Sequence, residues 1–101
     1  MPVADSLARR PMQKSLKSSE YTRLVEILVA VRHAADVRQH ELAKKLGRPQ
    51  SFVAKYEGGE RRIDVVEFIA IARALNADPV KLFRDFLAGK PGKVGRKRAD
   101  A

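Results

Sequence analysis

The chain of 101 residues has no cysteine and no tryptophan. Without cysteine there is no disulfide framework, no thiolate metal site and no cysteine nucleophile, which suits a reducing compartment. Aromatic residues are few, four Phe and two Tyr. Long apolar runs are also missing. The longest, within Leu24–Ala35, is broken by Glu26, Arg32 and His33, well short of the ~20 residues that a membrane span needs. No apolar stretch follows Arg9 and Arg10, so the N-terminus does not read as a secretory signal. The only histidines, the usual general bases at neutral pH, are His33 and His40. Neither lies in a metal-ligand or nucleophile pattern, and the acids are dispersed along amphipathic segments, so neither catalysis nor a cofactor or metal is expected. Strand-like alternation never lasts beyond a few residues.

What is present is positive charge and helical periodicity. The formal charge is +9, from 21 basic and 12 acidic residues. Residues 1–19 carry four basic side chains and one acid, and residues 88–101 carry five and one. The excess therefore sits mostly on the two ends, around a nearly balanced middle. Such ends attract polyanions, nucleic acid above all, or an anionic membrane surface; plain solubility is the bland alternative.

Residues 1–19 show no sustained periodicity and are read as a flexible basic arm. A helical pattern begins at Glu20, where Leu24, Ile27, Leu28, Val31 and Ala35 recur at helical spacing over about 20–36. Gln39 to Leu46 forms a short second helix, ended by Gly47. Pro49 suits the first turn of a third helix, which runs to about Glu57 before Gly58-Gly59. Asp64 with Glu67 is a capping-box start for a fourth helix, about 65–76. Asp78-Pro79 starts a fifth, which runs to about Ala88. The expectation is an all-α, five-helix domain over 20–88, followed by a flexible basic tail over 89–101 whose segment 90–98 could follow phosphates or enter a minor groove.

The second and third helices meet several packing demands at once. Counting from Gln39, the fifth residue must be small where the helices touch, and it is Ala43. The ninth must take positive φ, and it is Gly47. The fifteenth and eighteenth must be apolar anchors, and they are Val53 and Tyr56. A helix-turn-helix follows. Together with Glu41-Leu42-Ala43, Leu46-Gly47, Gln50-Ser51, Glu57 and Gly59, this stretch resembles the lambda-repressor-like, or XRE-type, family of DNA-binding domains over residues 20–87.

The resemblance implies a compact five-helix fold and a regulator that binds double-stranded DNA, with the third helix in the major groove. Gln50 is the leading base reader, because an amide can bond adenine N6 and N7 together. Ser51 and Lys55 share its face, and Lys55 could reach guanine or a phosphate. Phe52 stands where a small polar residue is usual and is read as a contact to a thymine methyl, the alternative being packing against the second helix. Gln39 is implied as a phosphate contact that sets the register, with Arg48, Arg61 and Arg62 as flanking phosphate contacts. Arg32 and Glu57 are implied as a structural ion pair. Tyr56 replaces the usual aliphatic anchor, so its hydroxyl should reach the surface or a polar partner.

A single domain reads few base pairs, so a homodimer on a palindromic operator is expected, acting as a repressor by occlusion. The apolar surplus of the fourth and fifth helices supplies a surface, with Phe68, Ile71, Phe83 and Phe86 as interface candidates. The alternative function is an antitoxin-like module that holds a protein partner while it autoregulates its promoter; co-purification of a small partner distinguishes the two. No small-molecule ligand or sensor domain is evident. The expected setting is the cytoplasm of a bacterium or a phage host, with the protein on the nucleoid when bound.

Overall fold

The structure, a computed structural model, describes residues 18–89. The basic arm and tail therefore lie outside the described residues, apart from Ser18, Ser19 and Gly89. Five helices follow one another with no strand among the described residues: α1 (Ser19–Ala34), α2 (Gln39–Leu46), α3 (Gln50–Glu57), α4 (Val65–Ala74) and α5 (Pro79–Leu87).

Local chemistry sets each boundary. The Ser18 hydroxyl accepts the Tyr21 N–H at 3.1 Å and caps α1. That helix stops two residues earlier than the apolar periodicity predicts. Asp36 turns left-handed at φ 58°, and Val37 N–H donates back to the Arg32 carbonyl. The fourth helix ends in the same way, through Asn76 at φ 58° and a bond from Ala77 N–H to the Ala72 carbonyl. Asp and Asn are the side chains that tolerate this region best, which is why no glycine is needed at either end. Gly47, at φ 70°, ends α2 as expected. Pro49 differs from expectation: it is the N-cap residue of α3, not part of its first turn. Its φ of −68° suits either place, but its ψ of 154° is extended, and helical geometry begins at Gln50.

The capping box of α4 is complete. Glu67 N–H donates to Asp64 Oδ1 at 2.7 Å, and Asp64 N–H donates to Glu67 Oε1 at 2.9 Å. At α5, Asp78 accepts the Val80 N–H at 2.9 Å while Pro79 takes the first helical position.

The core joins all five helices. Leu28 of α1, Leu42 of α2, Val53 and Tyr56 of α3 and Ile71 of α4 are each 0% exposed, with Leu82 of α5 beside them. Large side chains buried this fully contribute about 1.5–3 kcal/mol each. Ala43 is also buried, as the contact of α2 with α3 demands. Two interface candidates belong to this core as well. Ile71 is 0% exposed, because its side of α4 packs inward, so it is not available to a second chain, whereas Phe68, 7% exposed, reaches an apolar groove edge-on to Phe83. Phe83 remains exposed, and Phe86 is half-buried.

Candidate nucleic-acid interface

The third helix presents two clean faces. Phe52, Val53 and Tyr56 point into the core, whereas Gln50, Ser51, Ala54 and Lys55 point out. Helical spacing accounts for both sets, since residues four apart share a face. Phe52 is therefore not a base contact. Its ring is only 8% exposed and meets Tyr56 edge-on at 5.5 Å. Ala54, which the sequence reading passed over, lies on the outer face, four residues after Gln50.

Beside that face runs a chain of polar contacts. Arg32 Nε donates to Glu57 Oε2 at 2.7 Å and Arg32 Nη2 donates to Glu57 Oε1 at 2.8 Å, a two-pronged pair between side chains that are 9% and 8% exposed. Arg32 Nη1 donates to the Val37 carbonyl at 2.8 Å, so the buried cation is well satisfied. Gln39 Nε2 donates to the same Glu57 Oε1 at 2.9 Å. The Gln39 Oε1 faces Gln50 Nε2 at 3.5 Å, a long contact that sets the two amides side by side at the starts of α2 and α3.

Three arginines edge the same region. The Arg48 and Arg61 guanidiniums lie 4.2 Å and 4.7 Å from the Phe52 ring centroid, and Arg62 lies 4.5 Å from that of Tyr21. Tyr21 in turn donates its hydroxyl to the Arg61 carbonyl at 2.9 Å, tying α1 to the loop before α4. Glu67 accepts from both Arg48 and Arg61. Those bonds, led by the one from Arg61, hold its carboxyl down at about 2. The sequence marked Glu67 only as part of a cap.

The family described as a helix-turn-helix domain matches residues 23–83. Among solved structures, an XRE-family like protein from Pseudomonas syringae pv. tomato str. DC3000 is 36% identical, with a TM-score of 0.69. The match covers 90% of this chain and 100% of that one. The chain belongs to the XRE-type helix-turn-helix family. Among curated proteins, none matches it. An XRE-type domain of this kind is a DNA-binding transcription regulator, in keeping with the outward polar row of α3.

Within this XRE-type domain one further expectation is overturned. The Tyr56 hydroxyl reaches neither the surface nor a polar partner. The residue is 0% exposed, and its oxygen has no hydrogen-bond partner among the described residues. Burial raises its pKa far above the ordinary tyrosine value. Among the described residues, no group of three His, Asp or Glu side chains is placed to hold a metal ion, and no helix is long and apolar enough to cross a membrane.

An apolar groove of about 430 Å³ lies on another side of the molecule, between α4, α5 and the first turns of α1. Leu24, Ile63, Ile69 and Phe83 line it together with Val65 and Val80, which are 71% and 61% exposed. Leu87 of α5 is 68% exposed.

Proposed function

We propose that this protein is a homodimeric repressor that lays α3 into the DNA major groove at each half of a palindromic operator. The observation that carries the reading is the outward row Gln50, Ser51, Ala54 and Lys55 on a helix whose opposite side is locked into the core. Gln50 reads adenine through its amide, and Lys55 reaches guanine or a phosphate. Ser51 bonds a base edge beside Gln50, and Ala54 takes the thymine-methyl contact in place of Phe52. Gln39, Arg48, Arg61 and Arg62 hold phosphates and set the register. The Arg32–Glu57 pair braces Gln39 without touching DNA.

Dimerisation is supported by the apolar side chains that α4 and α5 leave exposed, Val65, Val80, Phe83 and Leu87. Val80, Phe83 and Leu87 recur at helical spacing along α5, a ridge beside the groove that a two-fold axis would seat against its copy. Two such domains address half-sites about 34 Å apart on one side of the duplex. A bound dimer over a promoter blocks polymerase. The bacterial source of the structural relative fits a regulator that acts in the cytoplasm of a bacterium or a phage host.

Selection from random duplex DNA at physiological salt tests the reading. Enrichment of an inverted repeat with adenine in each half supports it. Lack of enrichment removes α3 as a reading helix, and a single unrepeated half-site removes the dimer.

A further inference from the structure

Arg48 ends the turn of the motif, and Arg61 lies in the loop before α4, so chain connectivity does not hold the two together. One carboxylate does. Glu67 Oε2 accepts from Arg48 Nη2 at 3.1 Å and from Arg61 Nη2 at 3.2 Å, and Glu67 Oε1 accepts from Arg61 Nη1 at 3.1 Å. The Phe52 ring supplies the second support, with both guanidiniums within 5 Å of its centroid. Glu67 is itself fixed, since Oε1 also accepts the Asp64 N–H and the residue stands in the first turn of α4. Its side chain is 13% exposed, whereas those of Arg48 and Arg61 are 41% and 39% exposed. The carboxylate is thus far less exposed than the two cations that bond to it.

We infer that Glu67 is a positioning residue for DNA binding, its carboxylate and the Phe52 ring setting Arg48 and Arg61 as a paired phosphate clamp at the start of α3. The inference rests on the proposed role of those arginines as phosphate contacts. Two guanidiniums on one ring repel each other, and the carboxylate between them offsets that repulsion. Glutamine in its place keeps one acceptor oxygen but turns an amide N–H toward a guanidinium. The arginines then separate, and each pays more side-chain entropy to meet its phosphate.

The sign of the effect separates charge from positioning. Glu67 is an acid beside a polyanion site, so by charge alone its removal tightens binding. As a positioning residue, its removal weakens binding. The full-length protein and Glu67→Gln are titrated against a duplex recovered from the random pool and against a random-sequence duplex of equal length, over a range of salt. Glu67→Gln is expected to bind the recovered duplex about tenfold more weakly. The slope of log K against log salt is expected to fall by about 1, the equivalent of one lost phosphate contact. Arg61→Lys, which leaves the capping box intact but lacks the fork that spans two carboxylate oxygens, is expected to weaken it likewise.

In an Arg48→Ala/Arg61→Ala background, Glu67→Gln should have no further weakening effect, which a purely structural role would not predict. Tighter binding by Glu67→Gln, or a loss that persists in the double-arginine background, overturns the inference. If the double-arginine variant itself binds with the affinity and salt slope of the unaltered protein, the arginines are not phosphate contacts and the inference falls with that premise.

Discussion

Gln39 at the start of α2 donates its Nε2 to Glu57 Oε1 at the end of α3, at 2.9 Å, and Arg32 of α1 donates to that same oxygen at 2.8 Å. One carboxylate thus joins three helices and fixes which way the Gln39 amide points. Its free oxygen is turned to Gln50, the first residue of the outward-facing helix. A buried ion pair contributes little net stability, because desolvation offsets its attraction. Here its consequence is geometric.

Breaking that pair from one side leaves a charge buried without its partner. Arg32→Met is expected to destabilise the domain by about 3–5 kcal/mol in urea unfolding. Gln39→Ala leaves the pair intact and should cost only about 1 kcal/mol, yet weaken binding to a selected duplex. Equal stability losses in the two variants would contradict this division.

Phe52 and Gln50 stand in the first turn of α3, one buried and one exposed, and should fail in opposite ways. Phe52→Ala removes a ring that is 8% exposed and is expected to lower stability by about 3–5 kcal/mol. Gln50→Ala, on the exposed face, should leave stability within about 0.5 kcal/mol while relaxing one base position by about 1–3 kcal/mol. Denaturant melts and a mismatch binding series separate the two effects.

The Tyr56 hydroxyl is buried with no partner among the described residues. Removing an unsatisfied buried group relieves its desolvation penalty. Tyr56→Phe should therefore be neutral or stabilise the fold by up to about 1 kcal/mol, with its urea slope unchanged. A loss of more than about 1 kcal/mol would mean that the oxygen is bonded in solution.

Glu67 sets an acid limb. Its folded carboxyl titrates at about 2, below its ordinary value of 4.5, chiefly because Arg61 donates to the charged form. The unfolded chain therefore binds the proton first as pH falls. The stabilisation from this group is complete above about pH 5 and is lost as pH drops from there through about 2. Glu67→Gln is expected to show a shallower loss of melting temperature over pH 5 to 2 than the unaltered protein, and the same slope above pH 6.

Phe83, 48% exposed beside the apolar groove, tests self-association without disturbing the core. Phe83→Asp should halve the mass seen by light scattering at micromolar concentration, with little change in helical content. If the unaltered protein already has a monomer's mass, the groove is not an interface between copies.

Much of this molecule is legible in its residues because helix ends and helix faces are local properties. Gly47, the Asp64–Glu67 box and Asp78-Pro79 each act within a few residues of chain, and all mark the ends that the structure has. The Arg32–Glu57 pair could be placed because the family resemblance carried it. Phe52 is read from sequence as a base contact and is buried instead; the turn count that points Val53 and Tyr56 inward places residue 52 on their side and brings Ala54 out. Helix α4 is a different case. Val65, Val66, Phe68, Ile69, Ile71 and Ala72 are apolar nearly all round, so periodicity gives the angles between them and not the direction of the core. Only packing against α2 and α5 decides that Phe68 and Ile71 are inside and Val65 outside. The arginine pair on Phe52 is likewise tertiary, because Arg48, Phe52, Arg61 and Glu67 lie apart in the chain and meet only in the fold. Sequence alone thus determined the five helices, several of their caps and the helix-turn-helix. Tertiary contact decided which side chains remain free to meet DNA or a second chain, because exposure depends on neighbours that are distant along the chain.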